Sequence, residues 1–401
     1  MWKEIDPAIP DAIFGLTDQF KKDPNPDKVN LGAGVYKDDS GLTPILKAVK
    51  AAEKRLLESE THKTYLPIAG RPDYAQCVQN LLFGDSSEVV SSKRAATIHA
   101  PGGTGALRMG AELLRKFLPA ASVWVSAPTW ANHKGIFSSA KFSVSEYSYY
   151  DPMTQSVDLD RFLGCLEQVP MGDVVILHAC CHNPTGFDLS KDQWQMVVDI
   201  AKEKRWIPFL DFAYQGFGDG VEQDRYAVER FSASGMDFFI ASSFSKNLGL
   251  YNERAGALSI ISPTSREAQV AMSHLKTVIR TCYSNPPAHG GLIASTILKD
   301  QQLKQIWIKE LSDMRRRIVR MRSALVDGLF QRGVDTDFSY IKKQRGMFSF
   351  SGLSDDVVAW LKENKSIYIV NGGRINIAAL TADNIDFVCD SIARALTGSA
   401  V

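Results

Sequence analysis

The sequence predicts an α/β protein with a large domain, built on a mostly parallel sheet covered by helices on both faces, and a smaller second α/β domain. Between about residues 94 and 262, short β-rich runs alternate with amphipathic helical runs, which is typical of βαβ units. The chain has 401 residues, more than a single hydrophobic core usually serves. From about residue 336 the pattern changes to short strands with two further helical runs.

The predicted elements follow in chain order. Strands of the large domain are predicted at "AATIHA", "VWVSAP", "DVVILHA", "WIPFLDFAY", "DFFIASS" and "AGALSIIS", with helices after Thr104, after Trp130 and over 191–205. Residues 290–335 are helix-rich, and the small domain has strands at "GMFSFSG", "IYIV" and "RINIAAL" with helices at 355–365 and 384–396. We therefore expect an N-terminal arm that joins the small domain at 1–45, a large domain at 46–310 and a small C-terminal domain at 311–401.

The charge balance argues against nucleic acid as a partner. Lysine and arginine number 46 against 45 acidic residues, a formal net charge of +1, so the chain lacks the broad positive surface that nucleic acid or an anionic membrane requires. The one dense basic run, "MRRRIVRMR" at 314–322, contains apolar residues at helical spacing. We interpret it as a solvated helix face rather than a nucleic-acid site.

The cysteines and the N-terminal residues predict the compartment. None of the six cysteines lies in a CxxC pair or in zinc-site spacing, so we expect reduced thiols and no metal. The first residues lack a basic segment followed by an apolar one. No stretch approaches the roughly 20 apolar residues of a membrane span. We expect a soluble, cytoplasmic protein without a membrane partner.

Polar and glycine-rich motifs follow the predicted strands: "PGGTG", "APTW", "CCHNPTG", "DFAYQG" and "SSFSKN". Ligands of open α/β sheets gather beyond the carboxyl ends of the strands, so these motifs are expected to share one site. "PGGTGALRMG" (101–110) has Arg108 where a dinucleotide loop needs its third glycine, and Ala111 and Glu112 where a Walker loop needs lysine and serine or threonine. A phosphate site and a simple tight turn both remain open for it.

Lys246 lies in "SSFSKNLGLYNERAG" (242–256), where no carboxylate occurs before Glu253. A lysine that forms an imine with an aldehyde must be deprotonated, so a neighbouring carboxylate would oppose its function. If the aldehyde is pyridoxal phosphate, the site also needs a carboxylate on the pyridine nitrogen, donors on the ring oxygen, an aromatic side chain over the ring and polar groups on the phosphate. All these residue types follow strands of the same segment.

Five motifs in order carry a resemblance to a known family. "HNPTG" (182–186), "DFAYQGF" (211–217), "SSFSKN" followed by Arg254, "YSNPPAHG" (283–290) and "GRINIA" (373–378) together resemble the aspartate and aromatic aminotransferases of fold type I, over essentially the whole chain. The resemblance is greatest to the aspartate enzymes. It implies pyridoxal 5'-phosphate bound in the large domain, amino acids and 2-oxo acids as substrates, and a homodimer with shared active sites.

The resemblance also implies roles for individual residues. The implied catalytic residues are Lys246 as aldimine lysine and proton shuttle, Asp211 on the pyridine N–H, and Tyr214 on the ring hydroxyl oxygen. The implied cofactor-binding residues add Asn183 on that oxygen, Trp130 over the ring, and Gly103, Thr104, Ser243, Arg254 and the partner subunit's Tyr65 around the phosphate. The implied substrate-binding residues are Gly34, Trp130, Asn183, Arg374 on the α-carboxylate, and Arg280 reaching the distal carboxylate from the other subunit.

Some neighbouring residues receive lesser expectations. His133 and His182 are expected behind Asp211 and the ring, whereas His178, Cys180 and Cys181 are interpreted as packing residues. Members of the family often have serine where Gly102 stands, so one phosphate donor is expected to be missing.

The substrate expected is aspartate with 2-oxoglutarate, exchanged by a ping-pong mechanism. Lys37, Thr43, Thr64 and Asn285, expected near the pocket mouth, are polar, whereas strongly aromatic-specific family members have more apolar side chains there. A main activity on tyrosine and phenylalanine is the alternative. Decarboxylation or elimination with the same cofactor, and phosphate-ligand binding without catalysis, are the other hypotheses.

Overall fold

The computed structural model of the chain describes residues 2–7 and 12–397. The chain divides into two compact units, residues 1–43 with 317–401 and residues 44–316. The domain bounds predicted from the sequence, 1–45, 46–310 and 311–401, stay predictions of which parts fold as separate domains.

In chain order, the helices are α1 (Ala12–Lys22), α2 (Lys47–Ser59), α3 (Pro72–Phe83), α4 (Glu88–Ser91), α5 (Gly102–Phe117), α6 (Asn132–Ser139), α7 (Leu159–Glu167), α8 (Lys191–Lys204), α9 (Tyr226–Ala233), α10 (Ser265–Cys282), α11 (His289–Lys299), α12 (Gln301–Gln331), α13 (Asp355–Lys365) and α14 (Ile385–Thr397). The strands are β1 (Val29–Asn30), β2 (Ala95–Pro101), β3 (Val123–Ala127), β4 (Val144–Ser148), β5 (Tyr150–Asp151), β6 (Ser156–Val157), β7 (Val174–His178), β8 (Ile207–Phe212), β9 (Phe238–Ser243), β10 (Ala255–Ile261), β11 (Phe348–Phe350), β12 (Ile367–Tyr368) and β13 (Arg374–Asn376).

The unit of residues 44–316 is built on a seven-stranded sheet in the order β2-β10-β9-β8-β7-β3-β4. Strands β4, β3, β7, β8 and β9 run parallel, and β10 runs antiparallel to both of its neighbours. The predicted α/β class with a mostly parallel sheet is therefore confirmed. Because β10 is reversed, its first residue lies at the sheet edge where the parallel strands end.

Alternate residues of β2 explain why both faces of this sheet are covered. Ile98 and Ala100 are buried in the core that α5 and α10 form with the sheet. Residues of the opposite parity meet α3: Thr97 Oγ1 accepts a hydrogen bond of 3.0 Å from Gln79, and the His99 ring lies 4.3 Å from the Tyr74 ring. Since successive side chains of a strand point to opposite faces, one helix layer meets each parity.

Helix starts in this unit follow local chemistry. Ser190 Oγ accepts the Gln193 backbone N–H at the start of α8, and Gln193 Oε1 accepts the Ser190 backbone N–H in return. Thr264 and Glu267 form the same reciprocal pair at α10. Such capping boxes satisfy backbone N–H groups that have no partner within the helix, so these helices begin at defined residues.

The unit of residues 1–43 and 317–401 contains two small sheets. Strands β1 and β12 pair in parallel, and β11 and β13 pair antiparallel. Strands β11 and β12 and helices α13 and α14 lie where the sequence predicted them, whereas only the first three residues of the strand predicted at "RINIAAL" form β13 and Ile377–Ala379 form a 3-10 helix. None of the helices in the described part of the chain is long and apolar enough to cross a membrane.

The interpretation of residues 314–322 as a solvated helix face is wrong for two arginines. Arg317 and Arg322 are buried. Arg317 donates to the carbonyl oxygens of Ala378 and Leu380 at 3.3 and 2.7 Å, and Arg322 donates to the Gly346 carbonyl at 2.6 Å. Buried carbonyl groups outside regular ladders need donors, and a guanidinium supplies several at once.

Candidate active site

The predicted site residues of the large unit lie at one edge of the seven-stranded sheet. Asp211 is near the end of β8, and Ser243 is the last residue of β9. Gly103 opens α5 directly after β2, Lys246 lies in the turn after β9, and Arg254 immediately precedes the reversed strand β10. The carboxyl edge of the sheet thus gathers residues that are far apart in the chain.

Asp211 is a buried carboxylate that His133 holds. Its Oδ2 lies 2.9 Å from His133 Nε2, and His133 Nδ1 lies 2.8 Å from Thr129 Oγ1. Burial acts to raise the pKa of Asp211, but the hydrogen bond and charge of His133 and the charge of Lys246 outweigh it and lower that pKa. Asp211 is therefore anionic at neutral pH, as a partner for a protonated ring nitrogen must be.

Two further imidazoles pack behind this pair. His178 lies opposite Asp211 in the β7–β8 register, and burial lowers its pKa to about 3. Within the described residues its ring nitrogens have no hydrogen-bond partner. His182 is held by Ser126 at 2.9 Å and Thr185 at 2.8 Å, and burial lowers its pKa well below the usual value. Both rings are neutral and leave the charge of Asp211 available to a cationic ligand.

The same cluster contains atoms of metal-ligand type. Those of His133, His178 and Asp211 lie within 4.8 Å of one another. A divalent ion there would have to replace the hydrogen bond between His133 and Asp211. The expectation of no metal stays a prediction.

Asn183 and Tyr214, predicted to bind the ring hydroxyl oxygen, follow the adjacent strands β7 and β8 and are both buried. The segment of Asn183 is fixed by Asp188, whose carboxylate accepts the backbone N–H groups of Cys181 at 2.8 Å and His182 at 2.9 Å. Cys181 adopts a left-handed backbone with φ of 52°. Two structured turns therefore place an amide and a phenol beyond neighbouring strands.

Lys246 is half-buried, and its Nζ lies 5.0 Å from the centroid of the Tyr214 ring. An ammonium group is attracted to the negative face of an aromatic ring. The two residues predicted to act on the cofactor aldehyde and on the ring oxygen are thus neighbours.

An anion cradle lies at the start of α5. Arg254 Nη1 donates to Ser245 Oγ at 3.1 Å and to the Tyr251 carbonyl at 3.0 Å, and Ser245 and Ser243 share a hydrogen bond of 3.0 Å. Gly102 has φ of +70°, and a Cβ there would overlap Nη2 of Arg254. A Cβ on Gly103 would meet the Ser243 side chain at 3.4 Å. A guanidinium, hydroxyls and a helix N-terminus facing one space fit a phosphate dianion.

The cradle contains a residue, Ser245, that the sequence did not predict, and it shows what surrounds Gly102. Ser245 links Ser243 to Arg254, and the only signal was a second serine two residues later in "SSFSKN". A side chain at position 102 would require the guanidinium of Arg254 to shift from the position that it occupies here. Thr104 lies in the first turn of α5.

Trp130 follows β3 and is half-buried. Its ring meets the His133 ring edge to face with centroids 5.3 Å apart. It therefore lies one side chain away from Asp211. Its predicted position over the cofactor ring stays a prediction.

Tyr65 and Arg280, the residues predicted to act in the partner's site, are on the surface of this unit. The Tyr65 residue is 90% exposed, and Arg280, near the end of α10, is exposed and donates to Ser284 Oγ at 2.5 Å. Exposed positions are what a role in trans requires, but that role stays a prediction.

In the other unit, Arg374 and Gly34 lie in one small region. Arg374 is buried, donates to the Gly32 carbonyl at 2.8 Å, and has its guanidinium carbon 4.2 Å from the Phe348 ring centroid. A Cβ on Gly34 would reach Phe348 at 3.2 Å. The planar fork of a guanidinium suits a carboxylate, and the role on substrate stays a prediction.

Comparisons with known proteins agree over nearly the whole chain. The family model described as "Aminotransferase class I and II" matches residues 26–392. The chain is 48% identical to an aspartate aminotransferase of Salmonella typhi, covering 99% of this chain and 100% of that one. It is 43% identical to an aromatic-amino-acid aminotransferase of Pseudomonas aeruginosa, covering 96% of each. A solved aromatic-amino-acid aminotransferase from Burkholderia pseudomallei, covalently bound to pyridoxal phosphate, has 47% identity, covers 99% of both chains and gives a TM-score of 0.96.

Proposed function

The chain belongs to the class I and II aminotransferase family, and from that premise we propose that it exchanges amino groups between aspartate and 2-oxoglutarate. The cofactor is pyridoxal 5'-phosphate. The observation that carries the proposal is the buried, anionic Asp211, held by His133 at 2.9 Å at the sheet edge where Lys246 also lies. A buried carboxylate with lowered pKa at the same sheet edge as a lysine suits a cofactor that needs both a counter-charge and an amine.

The cofactor supplies a ring that withdraws electrons from the substrate Cα once both are bound. The chain's own residues bind and orient it. Asp211 keeps a proton on the pyridine nitrogen, and Tyr214 and Asn183 donate hydrogen bonds to the ring hydroxyl oxygen. Arg254 and Ser243, with the N–H groups that begin α5, bind the phosphate.

Lys246 moves the proton in this mechanism. With the cofactor bound, its ε-amine would accept the proton that leaves the substrate Cα and would donate it back on the cofactor side. The charge of Lys246 is also one of the causes that lower the pKa of Asp211. Loss of the lysine therefore removes both an anchor and the acid–base group, whereas the phosphate and ring contacts remain.

The proposed substrates are dicarboxylates. Arg374 binds the α-carboxylate common to all substrates, and Arg280 of a second copy binds the distal carboxylate of aspartate or 2-oxoglutarate. The polar residues Lys37, Thr43, Thr64 and Asn285 support aspartate over aromatic amino acids. Similarity to aromatic-amino-acid aminotransferases supports the second candidate, a main activity on tyrosine and phenylalanine.

The proposal includes a homodimer with shared sites and a cytoplasmic location. It is supported by the exposure of Tyr65 and Arg280, which their own unit does not bury. Sedimentation at assay concentration tests the dimer, and dilution should lower specific activity as subunits separate. A fully active monomer would contradict the shared site. Cell fractionation tests the location.

The enzyme activity is tested with purified protein, added pyridoxal 5'-phosphate, aspartate and 2-oxoglutarate. Glutamate should form only when both substrates are present. Lys246→Ala should retain the cofactor without a covalent bond and lose turnover by several orders of magnitude. The matched control is Lys304→Ala, another half-buried lysine of the same unit, which should keep wild-type turnover.

Three outcomes would contradict parts of the proposal. A protein that does not bind the cofactor would exclude cofactor chemistry. Release of carbon dioxide or ammonia without a 2-oxo acid would favour decarboxylation or elimination. A preference for tyrosine over aspartate would overturn the substrate while leaving amino transfer intact.

A further inference from the structure

The two turns that carry Lys246 and Tyr214 belong to different connections: the first joins β9 to β10, and the second leads from β8 toward α9. The Lys246 turn follows β9 and is closed by the N–H of Gly249 bonded to the Lys246 carbonyl at 3.1 Å. The Tyr214 turn follows β8 and is closed by the N–H of Phe217 bonded to the Tyr214 carbonyl at 3.0 Å. Pairing of β8 with β9 places the starts of the two turns side by side, but neither closing bond joins one turn to the other.

Asn247 makes a contact between the two turns. It directly follows Lys246, and its side-chain Nδ2 donates to the carbonyl of Gln215, directly after Tyr214, at 3.3 Å. Asn247 is buried, with 1% exposure. A hydrogen bond between residues adjacent to the two site residues links their backbones by a short path.

Helix α12 holds both turns from one side. The indole N–H of Trp307 donates to the Asn247 carbonyl at 2.6 Å, and Arg315 donates to the Gly216 carbonyl at 2.8 Å. Leu311, between them, lies where a Cβ on Gly216 would be. Residues four apart on a helix share a face, so these three residues form one stripe of α12. Trp307 contacts the Lys246 turn, and Leu311 and Arg315 contact the Tyr214 turn.

Asp224 fixes the far end of the Tyr214 turn. Its buried carboxylate accepts the backbone N–H groups of Gly216 at 2.7 Å, Gly218 at 3.0 Å, Asp219 at 2.7 Å and Gly220 at 3.3 Å. The Tyr214 turn is therefore held at Gly216 both by the Asp224 carboxylate and by the α12 stripe. The Lys246 turn has the Trp307 bond and the Asn247 bridge.

The amide of Asn247 is only partly satisfied. Its Oδ1 is buried without a hydrogen-bond partner in the described part of the chain. A buried polar group without a partner destabilises a fold, and such local conflicts concentrate at functional sites. An apolar residue of similar size would avoid the conflict but would not join the turns.

We propose that Asn247 is a positioning residue that sets Lys246 against Tyr214, with Trp307 of α12 holding it in place. The inference deepens the proposed function and rests on it for the roles of Lys246 and Tyr214. The contact between the two turns stands independently of any activity. Its consequence is that loosening one turn loosens the other.

Hydrogen–deuterium exchange of the apoenzyme tests the coupling without cofactor. Trp307→Phe removes the indole N–H, whose hydrogen bond goes to the Lys246 turn. It should speed exchange about tenfold both in residues 244–250 and at the Phe217 amide of the other turn. The matched control is Trp206→Phe, because Trp206 is as deeply buried and its indole nitrogen has no hydrogen-bond partner among the described residues. The control should leave both turns unchanged.

Steady-state kinetics with the holoenzyme supplies the second readout. Asn247→Ala and Trp307→Phe should lower kcat about 10- to 100-fold, with the KM for aspartate changed less than about threefold. A loss of packing alone would lower the melting temperature and leave kcat unchanged. This is the result expected for the control Trp206→Phe. If Asn247→Ala does not fold, Trp307→Phe decides the question.

Two results would overturn the inference. One is unchanged exchange at Phe217 in Trp307→Phe, and the other is a kcat within about twofold of wild type in a folded variant. A wild-type protein without amino transfer would instead refute the proposed function, and the exchange result would still decide whether the turns are coupled.

Discussion

Replacing Gly102 by alanine tests the anion cradle. Gly102 has φ of +70°, and its Cβ would overlap Nη2 of Arg254. The guanidinium must move to make room, and it now donates from Nη1 to Ser245 and to the Tyr251 carbonyl. The substitution therefore displaces the one cation of the cradle while it leaves every polar side chain in the sequence.

Gly102→Ala is expected to change two free energies, that of folding and that of cofactor binding. A left-handed backbone costs alanine about 1 kcal/mol of folding free energy, which affects stability with or without the cofactor. A displaced guanidinium loses charge-assisted bonds to the phosphate worth about 1.5–3 kcal/mol. That loss should raise the Kd for pyridoxal 5'-phosphate about 10- to 150-fold.

The assay is equilibrium titration of the apoenzyme with pyridoxal 5'-phosphate and, separately, with pyridoxal. The matched control is Gly172→Ala, because Gly172 has φ of +85° but no atom within 4 Å of an added Cβ. Gly172→Ala should share the stability loss of about 1 kcal/mol and keep the wild-type Kd. Only Gly102→Ala should weaken binding of the phosphorylated form, with pyridoxal binding almost unchanged.

Two results would refute the reasoning about the cradle. An unchanged Kd in Gly102→Ala would mean that Arg254 does not bind the phosphate from this position. An equal loss for pyridoxal and its phosphate would mean that the substitution distorts the ring site instead.

Three further predictions follow from other residues. Asp211→Asn keeps the shape but removes the counter-charge, so turnover should fall at least about 100-fold, equivalent to about 3 kcal/mol, and cofactor affinity should fall with it; wild-type turnover would contradict its role. Burial lowers the pKa of His99 from 6.5 to about 4, so the unfolded chain takes up its proton first and stability is lost as the pH falls from 6.5 toward 4. His99→Gln should therefore lose about 3 kcal/mol less unfolding free energy than wild type between pH 7 and pH 4, measured by denaturant titration, and an equal loss would show that His99 is not buried neutral. Arg280→Ala should cost about 3–5 kcal/mol of transition-state binding for aspartate and far less for phenylalanine, whereas Arg266→Ala, an exposed arginine on the same helix, should change neither kcat/KM; equal losses for both substrates would remove the assignment.

The sequence predicted those features that depend on chemistry local to a strand end. Asp211 and Ser243 are in motifs that begin at the ends of β-rich runs, and the alternation of runs places such motifs at one sheet edge. The short strands β11, β12 and β13 were also predictable from local sequence, because their β-rich runs are bounded by glycine and polar residues. The family resemblance added roles that no pattern of spacing supplies.

The features that were missed depend on contacts between distant segments. Asn247 has the composition of an ordinary turn residue, and only the fold brings its amide to Gln215. Asp224 follows a glycine-rich loop in the sequence, but its four backbone partners depend on how that loop closes. Arg317 and Arg322 carry the charge of a solvated face, yet carbonyl groups from distant segments surround them. Such partners are set by tertiary structure and not by local propensity.

The reversed strand β10 has a consequence for the order in which the protein assembles. Pro101 pairs with Ala255, so β2 finds its neighbour only after the chain between them has been made, and closing so long a loop is slow. Gly102 and Arg254 flank that pairing, which means that the anion cradle arises when β10 enters between β2 and β9. A nascent chain that stops before residue 255 has every parallel strand of the sheet but lacks β10, which joins β2 and the start of α5 to β9. Capture of pyridoxal 5'-phosphate during refolding should therefore accompany the last stage of sheet formation.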